Sequence, residues 1–405
     1  MMSLNKGNIE TLFVFFLTIG YIFVYSLAVP FNTQNSYFSV PFRITMLLVS
    51  LYLIYQNFEN IRKRKLTIIF TALFWILYLV KANYSFRSGV FMPKVMKNEY
   101  QIYIRMIVLN MIPYIAVLSI SLSKDIMVKL NRWAFNFLLI IIGLSSLYII
   151  FVTHGFERSS GIFASYYISV GHYGLSLVIL SVFYYFQPSE KKIKPILGIL
   201  IGIFTVFISS ARSPMLAALV LVLIFLIYFN KLKYWIALAC FILIFVIVIY
   251  GLKQTSLADF AFVNRMYDAI FNRDGYGRSH YLLMGWDIFK NNILLGGNIL
   301  FEDGLYPHNM LIEILMGMGI VGFIVFCLYF KDLWKFKIRY VKERIYNLPY
   351  ILFFIQYFVL VLTSYNIFEN MEFWSFAAVA VSIILFCYDE ETKSNDSRGN
   401  TAGNH

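Results

Sequence analysis

The sequence predicts an all-α polytopic integral membrane protein with about 12 transmembrane helices and one large external loop carrying short helices. Three observations predict it. Of the 405 residues, 60% are hydrophobic, 19% aromatic and only 14% charged, more apolar surface than a soluble domain of this length can hide. Apolar runs long enough to cross about 30 Å of hydrocarbon recur along the chain. Lysine and arginine are distributed unevenly between the loops that alternate from side to side.

The runs, in order, are 9–29, 40–56, 66–81, 103–120, 134–153, 164–186, 194–210, 213–230, 233–252, 307–330, 348–366 and 371–388. Only Ala211-Arg212 separates 194–210 from 213–230, so this pair also reads as one long broken helix. With both termini in the cytoplasm, the inner segments hold 21 of the 34 basic residues, among them the run Arg62-Lys63-Arg64-Lys65. Segment 81–105 departs from this pattern, being basic yet on the outer side. The net charge of +13 is therefore mostly a topology signal plus attraction to anionic lipid. Nucleic acid is not an expected partner, because no basic stripe lies on a soluble domain.

Residues 1–388 read as a single integral membrane domain and 389–405 as a polar, disordered cytoplasmic tail. The longest segment outside the membrane is the external loop 253–306. Within it, Phe260, Val263, Tyr267, Ile270 and Phe271 recur at helical spacing, with Asp259, Arg265 and Asp268 between them. Either a helix at the outer interface or one packed on the bundle fits that pattern. Residues 280–290 suggest a second short helix. The first apolar run lacks a small-x-small cleavage site and does not read as a cleaved signal. Cys240, Cys327 and Cys387 all fall inside expected spans and form neither a disulfide framework nor a metal site. No P-loop or HExxH pattern is present, and no cofactor or metal is expected.

Four stations of candidate chemistry lie on the outer side of this topology. The first is Arg158-Ser159-Ser160-Gly161-Ile162-Phe163. The second is Ser209-Ser210-Ala211-Arg212-Ser213-Pro214, where Arg212 stands between two apolar runs. An arginine near membrane depth is costly and usually faces a cavity or a partner. The third is Arg278 with Trp286, and the fourth His308-Asn309, with Glu313 four residues after Asn309 on the same helix face. Other readings stand beside these. Arg212 snorkelling to the interface, Arg278 as a solvated charge, His308 as a helix-start residue and Glu313 as a structural partner of a cation each fit the local sequence. His172, between Gly171 and Gly174, reads as a packed histidine bonding across helices, Trp286 as an anchor, and Gly317, Gly319 and Gly322 as sites of close helix approach.

The order RxxGxF, SSxR, R-x(7)-W and HNxxxE-x(3)-GxGxxG resembles the O-antigen ligase and O-antigen polymerase superfamily of bacterial envelope proteins, over roughly residues 155–330. After Phe163 the chain reads Ala-Ser-Tyr-Tyr, where many members have a Pro-Asn-like turn. The resemblance implies a glycan donor linked to undecaprenyl pyrophosphate at the outer face of the bacterial inner membrane. It implies transfer of that glycan to an acceptor hydroxyl, on a second lipid-linked repeat unit (polymerase) or on a lipid A core sugar (ligase). The first is preferred here. Whether a chain-length regulator is also a partner stays open. A different class, a flippase of lipid-linked oligosaccharide, would show related halves and charge reachable from both sides.

The chemistry of the residues agrees. Displacing pyrophosphate from an anomeric carbon builds negative charge on a leaving group that is already good. Fixed cations help most, and arginine pairs two oxygens while staying charged. Arg212 and Arg278 are expected at the pyrophosphate, with Arg158 a third candidate. His308 is the expected base for the acceptor hydroxyl, with Asn309 or Glu313 orienting it. In-line attack opposite the pyrophosphate predicts inversion at the anomeric carbon.

Overall fold

A computed structural model describes residues 6–87, 100–153, 159–163, 166–188, 191–272 and 278–402; among the described residues there are helices and turns but no strand. Each expected apolar run contains a helix among its described residues. The first is a composite helix, α1, over 6–27, interrupted by a π turn at Phe16–Gly20. There follow α2 (Ser36–Gln56), α3 (Lys65–Arg87), α4 (Ile102–Ser119), α5 (Lys124–Val152), α6 (Tyr167–Tyr185), α7 (Ile193–Ser209), α8 (Arg212–Phe229) and α9 (Leu232–Lys253). Two short helices, α10 (Ala261–Tyr267) and α11 (Arg278–Asn291), come next. The chain closes with α12 (Met310–Tyr329), α13 (Ile345–Thr363) and α14 (Met371–Ala402). Among the described residues ten helices are long and apolar enough to cross a membrane, and α7 is a shorter apolar helix.

Runs 194–210 and 213–230 are two helices, not one broken one. Ser210 adopts the left-handed conformation (φ 49°) and Ala211 is extended, so the backbone turns before Arg212. α7 packs closely on α6, where glycines let the backbones meet: a Cβ on Gly174 would lie 2.8 Å from the Gly202 carbonyl oxygen.

The aromatic core lies between α3, α12 and α14. Trp75 and Trp374 are fully buried, with ring centroids 4.9 Å apart, and Phe74, Tyr114 and Tyr329 close around them. α3 and α12 run antiparallel. Thr67, near the start of α3, bonds Asp332 just beyond the end of α12, while Tyr78 further along donates to Glu313 near the start of α12. α9 is the opposite case: only 6% of its apolar window is buried, which marks it as a peripheral, lipid-facing span.

The tail differs from its expectation. α14 continues as helix through 389–402. Glu390 pairs with Arg344 and Glu391 with Lys337 and Arg339, so ion pairs carry the helix beyond its apolar part.

The loop after α11 has a function the sequence did not announce. α12 is broken at Gly319 (φ 63°, ψ −159°), a conformation open only to glycine. The break separates backbone groups that a continuous helix would pair. Residues 293–297 fit into the gap and take them up: Gly297 N–H donates to the Met316 carbonyl at 2.7 Å, and Ile320 N–H to the Ile293 carbonyl at 2.9 Å. Gly296 and Gly319 sit so close that a Cβ on either would meet backbone within 2.6 Å. The glycines of α12 do permit a close approach, but at Gly317 and Gly319 the neighbour is this loop rather than a helix.

Candidate functional site

Arg212, Arg265, Arg278 and His308 gather at one end of the bundle, at the starts of α8, α11 and α12. Each is placed by local structure. The turn at Ser210-Ala211 makes Arg212 the first residue of α8. The start of α8 is tied down through Ser213, whose Oγ lies 2.5 Å from His172 Nε2 on α6. Gln356 on α13 donates to the His172 carbonyl at 2.8 Å, so one polar tie joins three helices. His172 is fully buried, as its packed reading requires. Arg212 Nη2 donates to the Arg265 carbonyl at 3.0 Å, fastening α8 to α10.

Arg265 is a member of the cluster that the sequence does not single out. Of the two placements its pattern allows for the helix, α10 takes the one on the bundle, with Val263, Met266 and Arg265 buried. The Arg265 guanidinium lies over the Tyr167 ring, 5.5 Å from its centroid, and Nη1 is 3.3 Å from the Tyr167 hydroxyl. Phe260, Ile270 and Phe271 of the expected apolar face are the more exposed residues. A signal was present in the sequence: Arg265 stands between Val263 and Met266, inside the arc that a docked helix buries.

The end of α13 explains Arg278. Ser364 is extended, so the last carbonyls of the helix lack helical partners. Arg278 Nη1 donates to the Thr363 carbonyl at 2.7 Å, and Asn309 Nδ2 to the Leu362 carbonyl at 2.9 Å. A guanidinium at a helix C-terminus is also favoured by the helix dipole. Burial lowers the Arg278 pKa from its ordinary value; Tyr167 opposes this, and the positive charges of Arg265 and Arg212 reinforce it. The guanidinium nevertheless remains charged at neutral pH. Those mutual repulsions also establish that the three arginines share one neighbourhood.

His308 precedes α12 with φ 57°, a strained conformation for a residue with a side chain. Its ring packs against Tyr306 and Tyr281, at centroid distances of 4.5 and 6.2 Å. Burial, followed by the charge on Arg278, pushes its pKa down to about 4, so the imidazole is neutral at pH 7. Burial also raises the Tyr306 phenol, followed by the charges of Glu369 and Glu313.

Two expected contact residues have other work. Asn309 caps α12, its Oδ1 accepting from Leu311 N–H at 3.0 Å and Ile312 N–H at 3.1 Å. Glu313 is fully buried; Oε1 accepts from the Tyr78 hydroxyl at 3.0 Å and Oε2 from Ile367 N–H at 3.0 Å. Both side chains are engaged in bonds that hold the start of α12 in place. Arg158 lies outside the described residues. Trp286 is partly exposed on α11, its ring 5.1 Å from Phe289.

Three helices start in this neighbourhood, two of 18 and 14 residues and the segment of α12 before its break at Gly319. Their positive dipole ends add to the arginines, and an anion is the natural complement of such an arrangement. The fold and the cluster thus define a class: an all-α polytopic membrane protein with a concentration of positive charge at one end of its bundle. Residues 197–327 match the family model described as O-Antigen ligase (Wzy_C), about a third of the chain. The match supports the superfamily resemblance and indicates a membrane glycosyltransferase of the O-antigen ligase or polymerase type. It spans Arg212, Arg265, Arg278 and His308. No curated protein matches the chain.

Proposed function

We propose that the protein transfers a glycan from a polyprenyl pyrophosphate to an acceptor sugar hydroxyl at the outer face of the cytoplasmic membrane, as a repeat-unit polymerase. The observation that carries this reading is the convergence of Arg212, Arg265 and Arg278 beside a neutral His308. Arg212 and Arg278, joined by Arg265, hold the pyrophosphate and stabilise its charge as the anomeric bond breaks. His308 accepts the proton of the attacking hydroxyl as the new glycosidic bond forms, and pyrophosphate departs with the electron pair of the old one. Attack opposite the leaving group inverts the anomeric centre. Asn309 and Glu313 act at one remove, by fixing the start of α12.

The outer location rests on charge. The opposite end of the bundle carries Arg64, Lys331, Lys335, Arg339 and Arg344, the density expected of a cytoplasmic side. Clustering of the candidate groups at one end also favours one-sided chemistry over a flippase.

Reconstitution tests the reading. Purified protein in liposomes, given undecaprenyl-pyrophosphate repeat units, should produce a glycan ladder on a gel. A second reading, ligation to a lipid A core sugar, is favoured by the description of the matched family, and transfer only on addition of that acceptor would establish it. Movement across the bilayer without new bonds would overturn both. His308→Ala should lower transfer roughly 10²–10⁴-fold, the usual contribution of a positioned base. NMR of the product linkage decides the stereochemistry, and retention would refute in-line displacement.

A further inference from the structure

At the end of the bundle away from the arginine cluster lies a cavity of about 490 Å³, formed by the start of α3, the turn after α12 and the distal part of α14. Six cations line it: Lys63, Arg64, Lys65, Lys331, Lys335 and Lys393. Three acids accompany them, Asp332, Asp389 and Glu390. Two of the acids are already committed. Asp332 is fully buried and held by Lys331 at 3.0 Å and Lys335 at 2.8 Å. Burial alone would push its carboxyl up; bonds from Lys335, Thr67 and Lys331 outweigh that and hold it below the ordinary carboxylate range. Glu390 pairs with Arg344 at 2.6 Å. Arg64 is buried and bonded to the Leu118 carbonyl and Ser382 Oγ, and the charges of Asp389 and Asp332 act on it, so the cavity's uncommitted cations are lysines. Among the described residues no carboxylate pairs with Lys63, Lys65 or Lys393.

The cavity is not only basic. Leu66 also lines it and is 55% exposed. Below Leu66, Ile69, Leu73 and Ile76 continue the same exposed stripe of α3 into the span. Positive charge at the rim of a transmembrane helix, directly above a lipid-facing apolar track, suits a molecule with an anionic head and acyl chains.

We propose that this cavity binds the phosphate of an anionic glycerophospholipid, with Lys63, Lys65 and Lys393 around the headgroup and the acyl chains along Leu66, Ile69, Leu73 and Ile76. The site is separate from the arginine cluster and does not depend on the transfer reaction assigned to it. Its ligand chemistry, a phosphate ester, is shared with soluble phosphates, and the apolar track selects the lipid.

Native mass spectrometry of the full-length protein in neutral detergent tests this, with phosphatidylglycerol, phosphatidylcholine and inorganic phosphate as probes. Phosphatidylglycerol should be retained as one adduct per chain, at least about fivefold over phosphatidylcholine. The Lys63→Gln/Lys65→Gln/Lys393→Gln variant should lose that preference, and the corresponding triple arginine variant should keep it. All three lysines are exposed, so the fold does not depend on them. A Lys231→Gln/Lys233→Gln variant, outside the cavity, is the control and should behave as the parent. Equal retention of the two lipids, an equal loss in the control, or displacement of phosphatidylglycerol by millimolar inorganic phosphate would each overturn the proposal.

Discussion

The two ends of this helix bundle are both rich in cations, yet they hold them differently. At one end Asp332 takes up Lys331 and Lys335, Glu390 takes up Arg344, and Glu391 takes up Lys337 and Arg339. At the other end Arg278 donates to the Thr363 carbonyl and Arg212 to the Arg265 carbonyl, and the repulsion among Arg212, Arg265 and Arg278 adds to burial in lowering the Arg278 pKa. The first arrangement sets cations against acids and serves the fold and the topology. The second brings like charges together, with backbone carbonyls fixing where the guanidinium groups stand.

That contrast can be broken by substitution, and the largest effects belong to the arginine end. Arg278→Ala and Arg212→Ala should each lower glycan transfer by roughly 10²–10³-fold with normal membrane expression, the scale of removing one preorganised charge donor. Arg212→Lys should also lose much of the activity, because an ammonium is a point charge and not a planar fork. Parent-level rates in both alanine variants would refute the anion clamp. Gly319→Ala should cost about 3 kcal/mol or more, since a Cβ there would lie 2.4 Å from the Leu294 carbonyl oxygen at a φ of 63°. The readout is folded yield and thermal stability, and normal values would mean that the loop does not lock into the break. Glu313→Leu leaves Ile367 N–H and the Tyr78 hydroxyl without their acceptor, for a loss of roughly 1–3 kcal/mol. Glu313→Gln should recover part of that stability, whereas a group that contacts substrate would show its loss in transfer at unchanged stability.

A pH profile sharpens the comparison more gently. The acid limb of kcat/KM reports the free enzyme, and with His308 depressed from 6.5 to about 4 that limb should lie near 4. The sign for stability follows the same way. Protonation of His308 favours the unfolded chain, so its contribution is intact above the ordinary histidine range and is lost as pH falls toward about 4. An acid limb at 6.5 that disappears in His308→Gln would contradict this burial. The smallest effect belongs to the paired end. Arg344→Ala removes a partly exposed ion pair and should change stability by about 0–1 kcal/mol with transfer unaffected.

By itself the sequence determined the class of fold and the stations that carry Arg212, Arg278 and His308. Those features are written in composition, in the length of apolar runs and in charges stranded beside them, all of which are local properties. Tertiary structure alone decided the rest. Arg265 joins the cluster because α10 docks on the bundle, which a short amphipathic pattern does not distinguish from lying on a membrane. Asn309 and Glu313 turn inward to cap and tie α12 because the last carbonyls of α13 and the Ile367 amide come to meet them, an arrangement set by segments more than 50 residues away. The break at Gly319 takes in residues 293–297 for the same reason: in hydrocarbon every freed backbone group needs a partner, and which segment supplies it depends on packing that no stretch of sequence encodes alone.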